Sequence, residues 1–289
     1  MIGFYTPGTS DFSEIVKQMT NYDKRHERVV NIKSKLEDMA NKGDEKAEKA
    51  LKKIATREAY GDALVEFGAK YDKLVVLDAD LAEATKTGKF KKAYPERFFD
   101  VGIAEEHAVA FTSALAKGGA KPIYLVMSSF IQRTYDQLSQ DLALNNNPAV
   151  ILVAWGGISG ADMTHLCSFD ISMTSNIPNL VYLAPTTVEE YMAMLDWAVE
   201  QNEHPVIIRQ PKEMIHTSLP VDKDYSNLNT YKIEKQGTKV AIIAEGSFFE
   251  LGENVVKELV KHNIMPTLIN PRYLTGVDKE SFLIIGAYC

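Results

Sequence analysis

Arg97-Phe98-Phe99-Asp100-Val101-Gly102-Ile103-Ala104-Glu105-Glu106-His107 is the stretch on which the fold turns. Phe99, Val101 and Ile103 alternate with Asp100, Gly102 and Ala104, which is the period of a strand. Gly102 lets the chain turn without a Cβ penalty. Glu105 and Glu106 then open a helix predicted to run through Ala108 to Lys117, where the dipole favours negative charge at the N-terminus. Two acids in a first helical turn are accounted for by that role alone. The spacing therefore specifies an α/β unit and leaves its chemistry open.

The same alternation of elements extends in both directions. Arg57 to Tyr71 reads as a helix with Tyr60, Leu64 and Phe67 on one face. Leu74 to Leu77, Lys121 to Met127, Pro148 to Ala154, Leu180 to Ala184 and Pro205 to Pro211 read as buried strands, and Val188 to Gln201 as a helix opened by Pro185-Thr186. Strands alternating with helices predict a parallel sheet. Ser128 is expected to cap a helix holding Phe130 to Gln137. After a polar stretch from Lys212 to about Thr230, a second unit starts: strand 239–244, a Gly246-Ser247 turn, a helix to Lys261, strand 265–269 and a last strand over Phe282 to Ile285. A sheet ending there leaves an edge and an apolar face to be covered. Tyr22 to Ile54 is different, being dense in Lys, Glu, Asp and Arg. Val29, Ile32, Leu36 and Met39 stand at helical spacing in it, with a break near Gly43.

Composition narrows the function classes. The chain has 289 residues, 45% hydrophobic and 25% charged, an ordinary globular balance with room for one large or two modest domains. A net charge of −7 argues against nucleic acid as the main partner. Two cysteines, Cys167 and Cys289, make no disulfide framework, so a reducing cytoplasm is the expected setting. No apolar run approaches a membrane span, and no membrane partner is expected.

Gly102-Ile103-Ala104-Glu105-Glu106-His107 after Arg97-Phe98-Phe99-Asp100 resembles the pyrimidine-domain signature of thiamine diphosphate enzymes, specifically transketolase and 1-deoxy-D-xylulose-5-phosphate synthase. The resemblance implies that Glu105 hydrogen-bonds the aminopyrimidine ring and activates the cofactor, with Glu106 standing where Gln is usual. Asp78-Ala79-Asp80-Leu81 with the Thr85-to-Phe90 loop resembles the start of the C-terminal subunit of split bacterial transketolases, which makes Asp80 a candidate cofactor contact. Asp80 reads equally well as a turn cap. Phe130-Ile131-Gln132-Arg133-Thr134-Tyr135-Asp136-Gln137 is closer to the synthases. It implies that Phe130 stacks on the pyrimidine and that Arg133 reaches a substrate phosphate. An aromatic face suits a flat heterocycle, and a guanidinium fork suits a phosphate.

Trp155-Gly156-Gly157 through Asp162-Met163-Thr164-His165 resembles the family's Gly-rich loop, whose Asp and His face the substrate. It implies catalytic roles for Asp162 and His165, an imidazole being suited to general acid–base work. The loop departs from the family pattern. One residue is missing between Asp162 and His165, Leu166 stands for Gln, and Trp155 replaces a phosphate-binding Arg. Arg209, in Ile208-Arg209-Gln210-Pro211, matches a second phosphate ligand, and a strand-end cation at the sheet rim is the plain alternative.

The resemblance divides the chain into a charged helical arm (1–55), a pyrimidine-binding domain (56–211), a linker (212–230) and a partial C-terminal domain (231–289). The expected class is α/β: a parallel-sheet pyrimidine-binding domain, a partial transketolase-like C-terminal domain and a helical N-terminal arm. The family holds Mg²⁺ and the diphosphate through Gly-Asp-Gly with a downstream Asn. Here Gly43-Asp44-Glu45 and Gly61-Asp62-Ala63 both lack the second glycine. No metal ligand is therefore expected on this chain. The implied protein is half of an enzyme, inactive alone, completed by a subunit carrying the diphosphate domain in a homodimer or heterotetramer. It would move a two-carbon unit to an aldehyde sugar phosphate. A keto-acid dehydrogenase β subunit and a non-catalytic remnant of the family are the other readings.

Overall fold

The structure, a computed structural model, describes residues 34–157, 165, 168–211, 214, 217 and 220–288, and of 49–57 and 284–288 the backbone alone. The chain divides into two compact units, Met1–Ala55 and Thr56–Cys289. In the first, residues 34–40 are helical and α1 (Glu45–Lys70) begins after a short turn. Gly43 adopts φ +85° in that turn, and the Asp44 carboxylate accepts from the N–H groups of Lys46 and Ala47 at 2.9 and 3.1 Å. The expected break near Gly43 thus has a left-handed glycine and a capping acid behind it. Leu36 is half-buried and Met39 exposed, while Val29 and Ile32 lie outside the described residues.

The second unit is built on six parallel strands in the order β2-β1-β3-β4-β6-β5. They are β1 (Leu74–Asp78), β2 (Phe98–Asp100), β3 (Lys121–Met127), β4 (Val150–Ala154), β5 (Val181–Leu183) and β6 (Val206–Gln210). Between β1 and β2 lie the short helices α2 (Ala82–Thr85) and α3 (Gly88–Ala93), and α4 (Glu105–Lys117) returns the chain from β2 to β3. Beyond β4 come α5 (Asp170–Thr174) and α6 (Val188–Glu200).

β4 shows why these strands read as unbroken apolar runs. All five of its residues are buried. Val150 and Leu152 join one cluster, with Leu64 and Phe67 of α1 and Tyr191 and Leu195 of α6. Ile151 and Val153 join the other, with Val109 of α4 and Leu138 and Leu142. Side chains alternate between two covered faces, so neither face tolerates a polar residue. The helix expected after Ser128 is instead a 3₁₀ turn (Ile131–Thr134) followed by a π-helical segment (Gln137–Ala143). Ser128 does not cap it, and its buried Oγ has no hydrogen-bond partner among the described residues.

The chain then forms a three-stranded sheet, β7-β9-β8, from β7 (Lys232–Lys235), β8 (Ala241–Ile243) and β9 (Thr267–Asn270). β7, too polar to stand out as a strand, pairs antiparallel with β9. α7 (Phe249–Lys261) packs closely on this sheet, where a Cβ at Gly252 would lie 2.6 Å from that of Ala244. Beyond β9, residues 272–274 run along β5. Ala184 N–H donates to the Arg272 carbonyl at 2.8 Å and Leu274 N–H to that of Tyr182 at 2.7 Å, which covers the edge of the large sheet. The strand expected over Phe282 to Ile285 is a helix, α8 (Lys279–Tyr288). Asp278 decides it by accepting the Ser281 N–H at 2.9 Å and hydroxyl at 2.7 Å, which starts a helical turn.

Candidate active site

Parallel strands deliver their carboxyl ends to one rim, and loops leaving that rim are where α/β sheets place ligands. β2 ends at Asp100, whose Oδ1 accepts the N–H of Gly102 at 3.0 Å and of Asp80 at 3.2 Å. Gly102, at φ +69°, turns the chain into α4. Glu105 is the first residue of that helix and only 2% exposed, while Glu106 and His107 are exposed. His107 lies on the Phe111 ring, with centroids 5.9 Å apart. Of the two adjacent acids, the helix thus turns one inward and leaves the other in solvent.

Among the described residues Glu105 meets one cation. Its Oε2 accepts from Arg133 Nη1 at 3.1 Å, and the Arg133 side chain stays 53% exposed. Arg133 and Phe130 are three residues apart on a 3₁₀ turn, where such residues share a face. Phe130 is half-buried and presents its ring to His165 edge-on, at 5.5 Å and 66°. Two contacts and one turn therefore gather Glu105, Arg133, Phe130 and His165.

The remaining candidates are placed otherwise. Asp80 adopts φ +59° with its carboxylate exposed, and its backbone N–H serves the turn. Asp162 lies outside the described residues. Arg209, near the end of β6, rests among acidic partners. It is 7% exposed, its Nε and Nη2 donate to Asp170 at 2.8 and 3.2 Å, and its Nη1 donates to Glu245 at 2.9 Å. Burial opposes the guanidinium charge, and the two carboxylates outweigh it, holding Arg209 above its ordinary pKa. The Arg209 stem also lies against the loop after β4, where a Cβ at Gly156 would stand 2.5 Å from Arg209 Cγ.

Three residues that hold the rim were not singled out from the sequence. Asp78 is fully buried, and it accepts from the Leu81 N–H at 2.5 Å and from the Thr85 and Thr87 hydroxyls at 3.0 and 2.8 Å. Burial raises its pKa against these hydrogen bonds. Asp170, also fully buried, takes the Tyr182 hydroxyl as well as Arg209. Glu245 closes that network from the loop before α7. The Asp78 knot had a local signal, two threonines seven and nine residues on. The Asp170 network had none, because its members come from separate strands and helices.

Near Glu105 a buried hydroxyl is left over. Tyr124 OH is fully buried with no hydrogen-bond partner among the described residues, and burial together with the Glu105 charge pushes its pKa up. A buried carboxylate beside a half-open aromatic face fits a flat ring that carries nitrogen.

Comparison with known proteins identifies the family. A sequence profile, "Transketolase, pyrimidine binding domain", matches residues 52–217. The 1-deoxy-D-xylulose-5-phosphate synthase of Clostridium acetobutylicum is 38% identical over 226 residues, covering 77% of this chain and 36% of that protein. That of Alkaliphilus oremlandii is 39% identical over 231 residues, covering 78% and 36%. The chain thus spans little more than a third of the length of these curated relatives. Among solved structures, a split-gene transketolase, described as an inactive β4 tetramer, is 29% identical with a TM-score of 0.69, covering 81% of this chain and 76% of that one. A transketolase from Pichia stipitis, at 16% identity and a TM-score of 0.67 over 80% of this chain and 37% of its own, shares the fold. With the parallel sheet, the buried Glu105 and these matches in hand, the chain belongs to the transketolase and 1-deoxy-D-xylulose-5-phosphate synthase family of thiamine diphosphate enzymes.

Proposed function

We propose that this chain supplies the pyrimidine side of a thiamine-diphosphate-dependent transferase, moving a two-carbon unit from a keto donor to an aldehyde sugar phosphate. One observation carries the reading: Glu105, 2% exposed, opens onto the face shared by Phe130 and Arg133. When bound, thiamine diphosphate supplies the carbon nucleophile. Glu105 holds the proton at a ring nitrogen, in surroundings dry enough to make that hydrogen bond strong. Phe130 packs on the ring. His165, with Asp162 from the same loop, exchanges protons with the substrate carbonyl and hydroxyls. Arg133, half in solvent, is the cation at hand for a phosphate. Arg209 stays with Asp170 and Glu245 as a tether.

The diphosphate and Mg²⁺ are assigned to a second chain carrying Gly-Asp-Gly, because neither glycine–aspartate pair here has the oxygen cage a hard cation needs. Similarity to the inactive β4 form of a split-gene transketolase supports the need for that partner. Calorimetric titration of thiamine diphosphate and Mg²⁺ into the chain, alone and mixed with such a subunit, tests the assignment. Binding confined to the mixture and lost in Glu105→Ala is the expected result. Tight binding to the chain alone would place the diphosphate site here and overturn the partner assignment.

A further inference from the structure

Among the described residues the counter-ion of Glu105 is itself the cation that a substrate anion needs, and both demands fall on a single guanidinium. Arg133 Nη1 sits 3.1 Å from Glu105 Oε2. The carboxylate is 2% exposed and the arginine 53%, so the acid is fixed inside the fold while the cation reaches it from solvent. Such an arm has long, soft torsions and room to swing outward. A ring nitrogen that hydrogen-bonds Glu105 competes with Arg133 for the same carboxylate, of which the arginine now holds Oε2. A buried carboxylate is costly without a partner, so in the ring-free chain it keeps the arginine.

We propose that Arg133 is an exchangeable counter-ion, which occupies Glu105 until an aminopyrimidine ring binds and is then released to hold the anionic group of a substrate. The inference rests on the pyrimidine-site reading above. It makes the two ligands cooperative: the ring frees the cation, and an anion that captures the cation clears the carboxylate for the ring. Linkage requires both effects to have the same size. The acceptor would therefore bind poorly before the cofactor is in place, which protects the chain against unproductive occupation by free phosphate.

The full-length chain, labelled with ¹⁵N-arginine, tests this by NMR, using 4-amino-5-hydroxymethyl-2-methylpyrimidine and inorganic phosphate as probes. The Arg133 Nε–H signal should leave its ion-paired position as pyrimidine is added. Saturating pyrimidine should tighten phosphate binding about fivefold or more. In Glu105→Gln the arginine is already free, so phosphate should bind tightly without pyrimidine. Arg133→Met should lose the coupling, and Arg133→Lys should keep part of it. Pyrimidine binding that needs Glu105 but leaves phosphate affinity unchanged would sink the exchange and leave the cofactor reading standing. Coupling that persists in Arg133→Met would sink it as well. Absence of pyrimidine binding, with or without the second subunit, would overturn both.

Discussion

Asp78 shows what one residue does at this rim. It ends β1 inside the protein and gathers one backbone N–H and two threonine hydroxyls, which fixes the loop that follows. Asp78→Ala should destabilise the chain by about 2–3 kcal/mol in urea unfolding, the range for hydrogen bonds to a charged group left unmade. Its pH dependence has a definite sign. The folded-state pKa is raised, by burial first, so the native state holds the proton longer than the unfolded one. Its contribution is fully present below the unfolded value of about 3.9 and is lost as pH rises through the folded value. Asp78→Asn removes that slope, so the stability difference between wild type and variant should fall with pH above about 4 and then level off. A flat difference across that window would count against the raised pKa. Glu105 was legible because its neighbours in sequence form a recognisable phrase. Asp78 was passed over for Asp80, because only the fold shows which of two nearby aspartates points inward.

At the scale of the element, local rules hold wherever they are complete in a few residues. α6 starts with a variant of the capping box: the Thr187 hydroxyl accepts the Glu190 N–H at 3.1 Å, and Glu190 reaches one residue further back to accept the Thr186 N–H at 2.7 Å. Thr187→Ala should cost about 1 kcal/mol, read as a lower midpoint in denaturant at unchanged slope. Glu190 also takes Asn270 at 3.3 Å, so the cap joins α6 to β9. β3 follows its apolar run from Lys121 to Met127 because both faces of that strand are covered. The last strand expected over Phe282 to Ile285 failed because Asp278, just upstream, caps a helix that the apolar run alone does not reveal. The helix expected after Ser128 failed for a related reason, since the segment tightens to 3₁₀ and widens to π while packing beside α4.

At the scale of the molecule, Arg209 ties β6 to α5 and to the loop before α7. Arg209→Met leaves the fully buried Asp170 without its cation and should cost about 3–5 kcal/mol, measured by denaturant unfolding. A variant of near wild-type stability that loses phosphate affinity instead would restore the ligand role expected from the resemblance. No helix among the described residues is long and apolar enough to cross a membrane. The sequence by itself determined the α/β class, the parallel character of the large sheet and the candidacy of Glu105, Phe130, Arg133 and His165. Those properties rest on short-range periodicity, turn residues and local wording. Only the tertiary structure decided that Arg133 rests on Glu105, that Arg209 is spent on Asp170 and Glu245, and that Asp78 anchors the rim. These are ion pairs, and hydrogen bonds to a buried carboxylate, between residues 7 to 39 positions apart. Which acid a cation meets depends on how strands and helices are brought together, and burial then makes that choice binding by removing water as the alternative partner.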